Sequence, residues 1–88
     1  MIPSPLVLRW RLVPGVSLAA SGETGLTLAL AAGETLTLTP GDAGLRAALL
    51  TLADGAEEAR LLARAGVDGA ARLYHYLARL VGRGLLEA

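Results

Sequence analysis

Midway along this chain of 88 residues the hydrophobic period changes, and that change limits the possible folds more than any other feature. Before Thr39 leucines recur at every second position; after Ala43 they recur three or four apart. Alternate residues share one face of a strand, whereas residues three and four apart share one face of a helix. The first half therefore reads as strands and the second as helices, with Pro40-Gly41-Asp42 at the junction.

Residues 6–13 (LVLRWRLV) alternate, with Leu6, Leu8, Trp10 and Leu12 pointing one way and Arg9 and Arg11 the other. Trp10, the largest apolar side chain, reads as a core anchor of a half-buried strand. Pro14-Gly15 signals a turn or corner, after which Val16, Ser17 and Leu18 resume extended structure. A polar loop over residues 21–25 leads to LTLAL (26–30), with Leu26, Leu28 and Leu30 inward, and Ala31-Ala32-Gly33 makes the next turn. Residues 35–39, TLTLT, form the cleanest strand: Leu36 and Leu38 face a core, and the β-branched Thr35, Thr37 and Thr39 face outward. Short connections between such stretches predict a small antiparallel meander with one apolar face.

Asp42 has the side chain of a helix N-cap, and Leu45, Leu49 and Leu52, with Leu50 beside them, mark the buried face of a first helix. Asp54-Gly55 closes it. A second helix is expected to carry Glu57 and Glu58 in its first turn, Leu61, Leu62 and Ala65 inward, and Gly66 at its end. Asp68 caps a third, over residues 70–86. There Leu73, Leu77, Leu80 and Gly84, flanked by Ala70 and Val81, form the buried side. Arg72, His75, Arg79 and Arg83 form the opposite side, ended by Gly82 and Gly84. The expected architecture is α+β, a three-stranded antiparallel sheet followed by three helices, with a helix-turn-helix unit at the end. Eighty-eight residues make one domain, with residues 1–5 as a loose lead-in.

Composition excludes several functions. No cysteine is present and only one histidine, so thiolate or histidine-rich metal sites are absent. Apolar runs are too short for a membrane span, and no basic start precedes an apolar stretch at the N-terminus. Eight arginines balance eight acids, giving net charge zero, which disfavours nonspecific nucleic-acid binding. Neither a phosphate-binding glycine loop, a zinc-protease helix motif nor a nucleophile elbow occurs. Glu57 and Glu58 are adjacent and point apart on a helix, and His75 has no identifiable nucleophile or orienting partner. The chain reads as non-catalytic, without cofactor.

Two features remain. The stripe of Arg72, His75, Arg79 and Arg83 has no acidic residue between Asp68 and Glu87 to neutralise it. The TLTLT strand contains no charge, proline or glycine, so at a sheet edge its free backbone groups would template an added strand.

The wording PGVSL, GLTLAL, TLTLTPGDAGLRAALLTLADG and ARLYHYLARLVGRGLLE resembles the PqqD-like winged helix-turn-helix domain, or RiPP recognition element. It is similar in particular to the N-terminal domain of SagB-like thiazole/oxazole peptide dehydrogenases. The resemblance implies a cytoplasmic module that binds the leader of a ribosomally made precursor peptide as an extra strand, between the third strand and the third helix. Its partners would be that peptide and the enzymes that modify it. Carried over, the implied site is Thr35, Leu36, Thr37, Leu38 and Thr39 on the strand, with Arg72, Tyr76, Arg79 and Arg83 on the helix. Leu36, Leu38, Leu73 and Tyr76 would line pockets for apolar leader residues. Acidic leader residues would suit the arginines. The competing readings are a DNA-binding winged helix using the basic face, and a docking or dimerisation domain of a larger dehydrogenase, as monomer or homodimer.

Overall fold

The computed structural model describes residues 8–88. The expectations for residues 1–5 and for Leu6 lie outside them. The elements run β1 (Arg9–Leu12), β2 (Ser17–Ser21), β3 (Gly25–Ala29), β4 (Thr35–Leu38), α1 (Ala43–Leu50), a 3-10 turn (Thr51–Asp54), β5 (Ala56–Glu57), α2 (Glu58–Gly82) and β6 (Leu86–Glu87).

The meander is present as β2-β3-β4, antiparallel throughout. Leu26 lies opposite Leu38, and Leu28 opposite Leu36. The turn after β3 sets this register. Leu30 N–H donates to Glu34 O at 2.8 Å and Gly33 N–H to Leu30 O at 3.0 Å. Gly33, at φ 84°, supplies the left-handed residue that a three-residue hairpin loop of this kind requires.

The expected single sheet followed by three helices is corrected by this structure: the described residues form two three-stranded antiparallel sheets and two helices, the second broken at Gly66. Residues 9–12 do not join the meander. The turn at Pro14-Gly15, closed by Val16 N–H to Val13 O at 3.2 Å, separates them from it. Instead β1 is the centre of a second sheet, β5-β1-β6, with Arg9 opposite Glu57 and Arg11 opposite Glu87. Val13 N–H to Leu85 O and Glu58 N–H to Leu8 O continue this pairing. Backbone groups of β1 must be paired, and the segments flanking α2 supply the partners.

The second and third expected helices form one element, α2, with Gly66 as a non-helical residue inside it (φ 76°, ψ 172°). Only glycine occupies that conformation without strain, so the chain changes direction there with no intervening loop. The second helix was expected to end at Gly66, and the break falls there, but no loop separates the segments on its two sides. Asp68 falls in the first turn after that break rather than at the cap position, and Glu57 belongs to β5.

Elsewhere the local signals hold in the structure. Asp42 Oδ1 accepts from Leu45 N–H at 2.9 Å. Gly55 follows the 3-10 turn at φ 79°, and α2 ends at Gly82. The core joins Leu26, Leu28 and Leu38 of the meander to Leu45, Leu49, Leu52, Leu61, Leu73, Leu77 and Leu80 of the helical half. Each such leucine contributes about 1.5–3 kcal/mol relative to exposure. Trp10 packs at the core margin, and its Nε1–H donates to Glu58 Oε1 at 3.2 Å. Among the described residues no helix is long and apolar enough to cross a membrane.

Candidate peptide-binding groove

Strand β4 is an edge strand. Among the described residues, in the order β2-β3-β4, it has a neighbour on one side only. Its outward groups follow from the register. The Leu30–Glu34 level is hydrogen-bonded, and in an antiparallel pair bonded and non-bonded levels alternate. Leu36 and Leu38 therefore direct their N–H and C=O groups at β3, opposite Leu28 and Leu26. Thr35 and Thr37 direct theirs away, towards the open edge. The side chains alternate on a different axis: Leu36 and Leu38 point into the core, while Thr35, Thr37 and Thr39 are exposed.

Where β4 gives way to α1, a groove of ≈ 380 Å³ opens against α2. Thr39 and Pro40 form the strand side; Ala71, Arg72, His75, Tyr76 and Arg79 form the helix side. The helical residues fall together because 72, 75, 76 and 79 are three or four apart, one turn above another. Tyr76 is the anchor of this wall. It is half-buried and packs against the core. The His75 ring meets it edge-on, with centroids 6.2 Å apart and planes at 72°. The Arg79 guanidinium lies 6.0 Å from its centroid, within cation–π range.

The groove is electropositive for a simple reason. Among the described residues the ion pairs are Arg9–Glu57 at 3.9 Å and Arg11–Glu87 at 2.9 Å, both in the β1 sheet. Arg72 and Arg79 take part in neither, and both are exposed. Two permanently charged planar donors thus face one opening without an acidic partner, which suits carboxylates. A second hollow, between β1 and Asp54-Gly55, has Asp54 among its lining residues and adjoins the paired Arg9 and Arg11. It carries no comparable surplus. Among the described residues no three His, Asp or Glu side chains cluster as metal ligands.

Of the expected site residues, Thr39, Arg72, Tyr76 and Arg79 line the groove, and Thr35 and Thr37 lie on the adjoining edge. Leu73 does not line it. It is 0% exposed and belongs to the core with Leu77 and Leu80, where helical spacing from those leucines had already placed it. Leu38, 3% exposed, is likewise a core residue, whereas Leu36 is only partly buried. Arg83 follows the end of α2, its N–H bonded to Arg79 O, and is not among the lining residues. Pro40, Ala71 and His75 were missing from the expected site. Only His75 had a signal in the sequence, lying three residues after Arg72 and four before Arg79. No protein-family model, curated protein or solved structure matches this chain.

Proposed function

We propose that this domain recognises the leader segment of a ribosomally synthesised precursor peptide and is itself non-catalytic. The leader adds as a strand to the open edge of β4 and continues into the groove against α2. In this role the domain presents the precursor to enzymes that install azole or azoline rings, and it works in the cytoplasm. The resemblance to PqqD-like recognition elements suggested the reading. The observation that carries it is the adjacency of an unpaired strand edge, at Thr35 and Thr37, to a groove holding Arg72 and Arg79 without acidic partners. Main-chain bonds along such an edge supply affinity, and the flanking side chains supply selectivity.

The test is calorimetric titration of the full chain with acidic leader peptides, followed by amide shifts. Shifts concentrated in residues 35–39 and 70–83 are expected. Arg72→Glu and Arg79→Glu should each weaken an acidic peptide by about tenfold without unfolding the domain. Unchanged affinity in both variants removes the groove from the site. Exposure of Arg72, His75 and Arg79 on α2, with Arg83 just past its end, keeps DNA as the second reading. Retardation of duplex DNA at low salt, lost in the same variants, would favour it over the peptide.

A further inference from the structure

Beside the arginines, on the side of α2 away from the core, lies an apolar face that the other described residues leave uncovered. Val67, Ala71, Tyr74, Ala78 and Val81 are all exposed, Val67 at 95% and Tyr74 at 45%. Their spacings are four, three, four and three, the interval of a coiled-coil seam. Solvated helix faces of small domains seldom carry such a run without a partner.

We infer that this stripe is the interface of a two-fold dimer, in which α2 of one copy packs antiparallel against α2 of a second. The order of residues identifies the occupant. A two-fold interface must be complementary to itself under reversal of direction. Read from either end, the stripe is Val, Ala, Tyr, Ala, Val. Val67 and Val81 each lie seven residues from Tyr74, roughly 10 Å along the axis, so an antiparallel copy places each beside the other's counterpart. Ala71 and Ala78 lie three and four residues from Tyr74, and the two reversed copies bring alanine to alanine within about one residue rise, ~1.5 Å. Small residues there let the helices approach, and the two Tyr74 rings meet at the axis.

Charge points the same way. Asp68 and Arg79 are eleven residues apart, three helical turns, and so flank the stripe on the same side. They lie six residues before and five after Tyr74. The two-fold operation therefore sets Asp68 of each copy near Arg79 of the other. Neither residue has an ion-pair partner among the described residues of its own chain. A parallel arrangement would put Asp68 level with Asp68 and Arg79 level with Arg79, on opposite sides of the seam, and would form no such pair. Because Arg79 also lines the groove, the dimer and an acidic peptide draw on the same side chain.

Sedimentation equilibrium of the full chain over a range of concentrations tests this, with circular dichroism to confirm that each variant is folded. A monomer–dimer equilibrium is expected. Tyr74→Arg, which sets like charges together on the axis, should abolish it. Asp68→Arg and Arg79→Asp should each weaken it by about tenfold, and the double exchange Asp68→Arg/Arg79→Asp should restore it. Thr37→Pro, which blocks the β4 edge, should leave it intact. A chain that stays monomeric at about 1 mM overturns the inference. So does a dimer insensitive to Tyr74→Arg, one lost in Thr37→Pro, or a double exchange that fails to restore association.

Discussion

Neighbouring residues of β4 should respond in opposite ways to proline. At Thr37 the backbone N–H faces the open edge, so Thr37→Pro removes no bond to β3. Its exposed threonine side chain also contributes nothing to the core. The preceding residue is already extended, as proline requires of it. The folded domain should lose no more than about 1 kcal/mol, a fall of less than roughly 8 °C in a protein of this size. Peptide binding should suffer more. An added strand lies about 4.8 Å away, and it would meet the proline ring where it needs a donor. Losing one intermolecular bond, about 1 kcal/mol, together with that obstruction predicts at least tenfold weaker binding.

At Leu36 the same substitution strikes the ladder to Leu28 and the leucine packing beneath it. One lost bond of about 1 kcal/mol and a large-to-small core change of about 2–5 kcal/mol sum to roughly 3–6 kcal/mol. That is a large part of the ~5–15 kcal/mol that small domains possess. Thermal melts followed by circular dichroism, with peptide titrations on the folded variants, separate the two effects. If Thr37→Pro unfolds the domain as fully as Leu36→Pro, the outward assignment of Thr37 is wrong. If Thr37→Pro folds and binds an acidic leader unchanged, strand addition at this edge is refuted.

Asp42→Ala removes the acceptor of Leu45 N–H and should cost about 0.5–2 kcal/mol, read as a lowered denaturation midpoint with an unchanged slope. Gly66→Ala should cost about 1–3 kcal/mol from backbone strain alone, since a methyl there meets nothing within 4 Å. Gly82→Ala, equally unobstructed and without a positive φ, should instead raise stability by up to about 1 kcal/mol. Partial desolvation, and then the nearby Glu58 carboxylate, push the Tyr74 hydroxyl above its ordinary value. Its contribution to stability is thus complete below pH ~10 and is lost as the pH rises through the folded-state value. In a Tyr76→Phe background, tyrosinate absorbance should report this late titration, and Glu58→Gln should move it to lower pH.

Much of the candidate site was legible from local pattern. TLTLT announced which side chains of β4 point inward, because strand side chains alternate whatever the strand pairs with. Arg72, His75 and Arg79 announced one helical face for the same kind of reason. That β4 would be an edge was not legible. Edge status depends on whether another strand docks there, and residues 9–12 had the composition to do so. They went instead to Ala56–Glu57 and Leu86–Glu87, segments too short to register as strands in any sequence window.

By itself, then, the sequence determined what depends on neighbours along the chain: the change of period after Thr39, the Asp42 cap, the loop at Gly33, and the sharing of a face by residues three or four apart. These follow from backbone geometry and side-chain chemistry over a few residues. Tertiary structure decided which segments met across long separations. It drew β1 away from the meander and paired it with Ala56–Glu57 and Leu86–Glu87. It set Thr39 and Pro40 against Arg72, His75, Tyr76 and Arg79. Pairing of this kind follows from which arrangement satisfies every buried backbone group and every apolar face at once, and no single stretch of the chain holds that information.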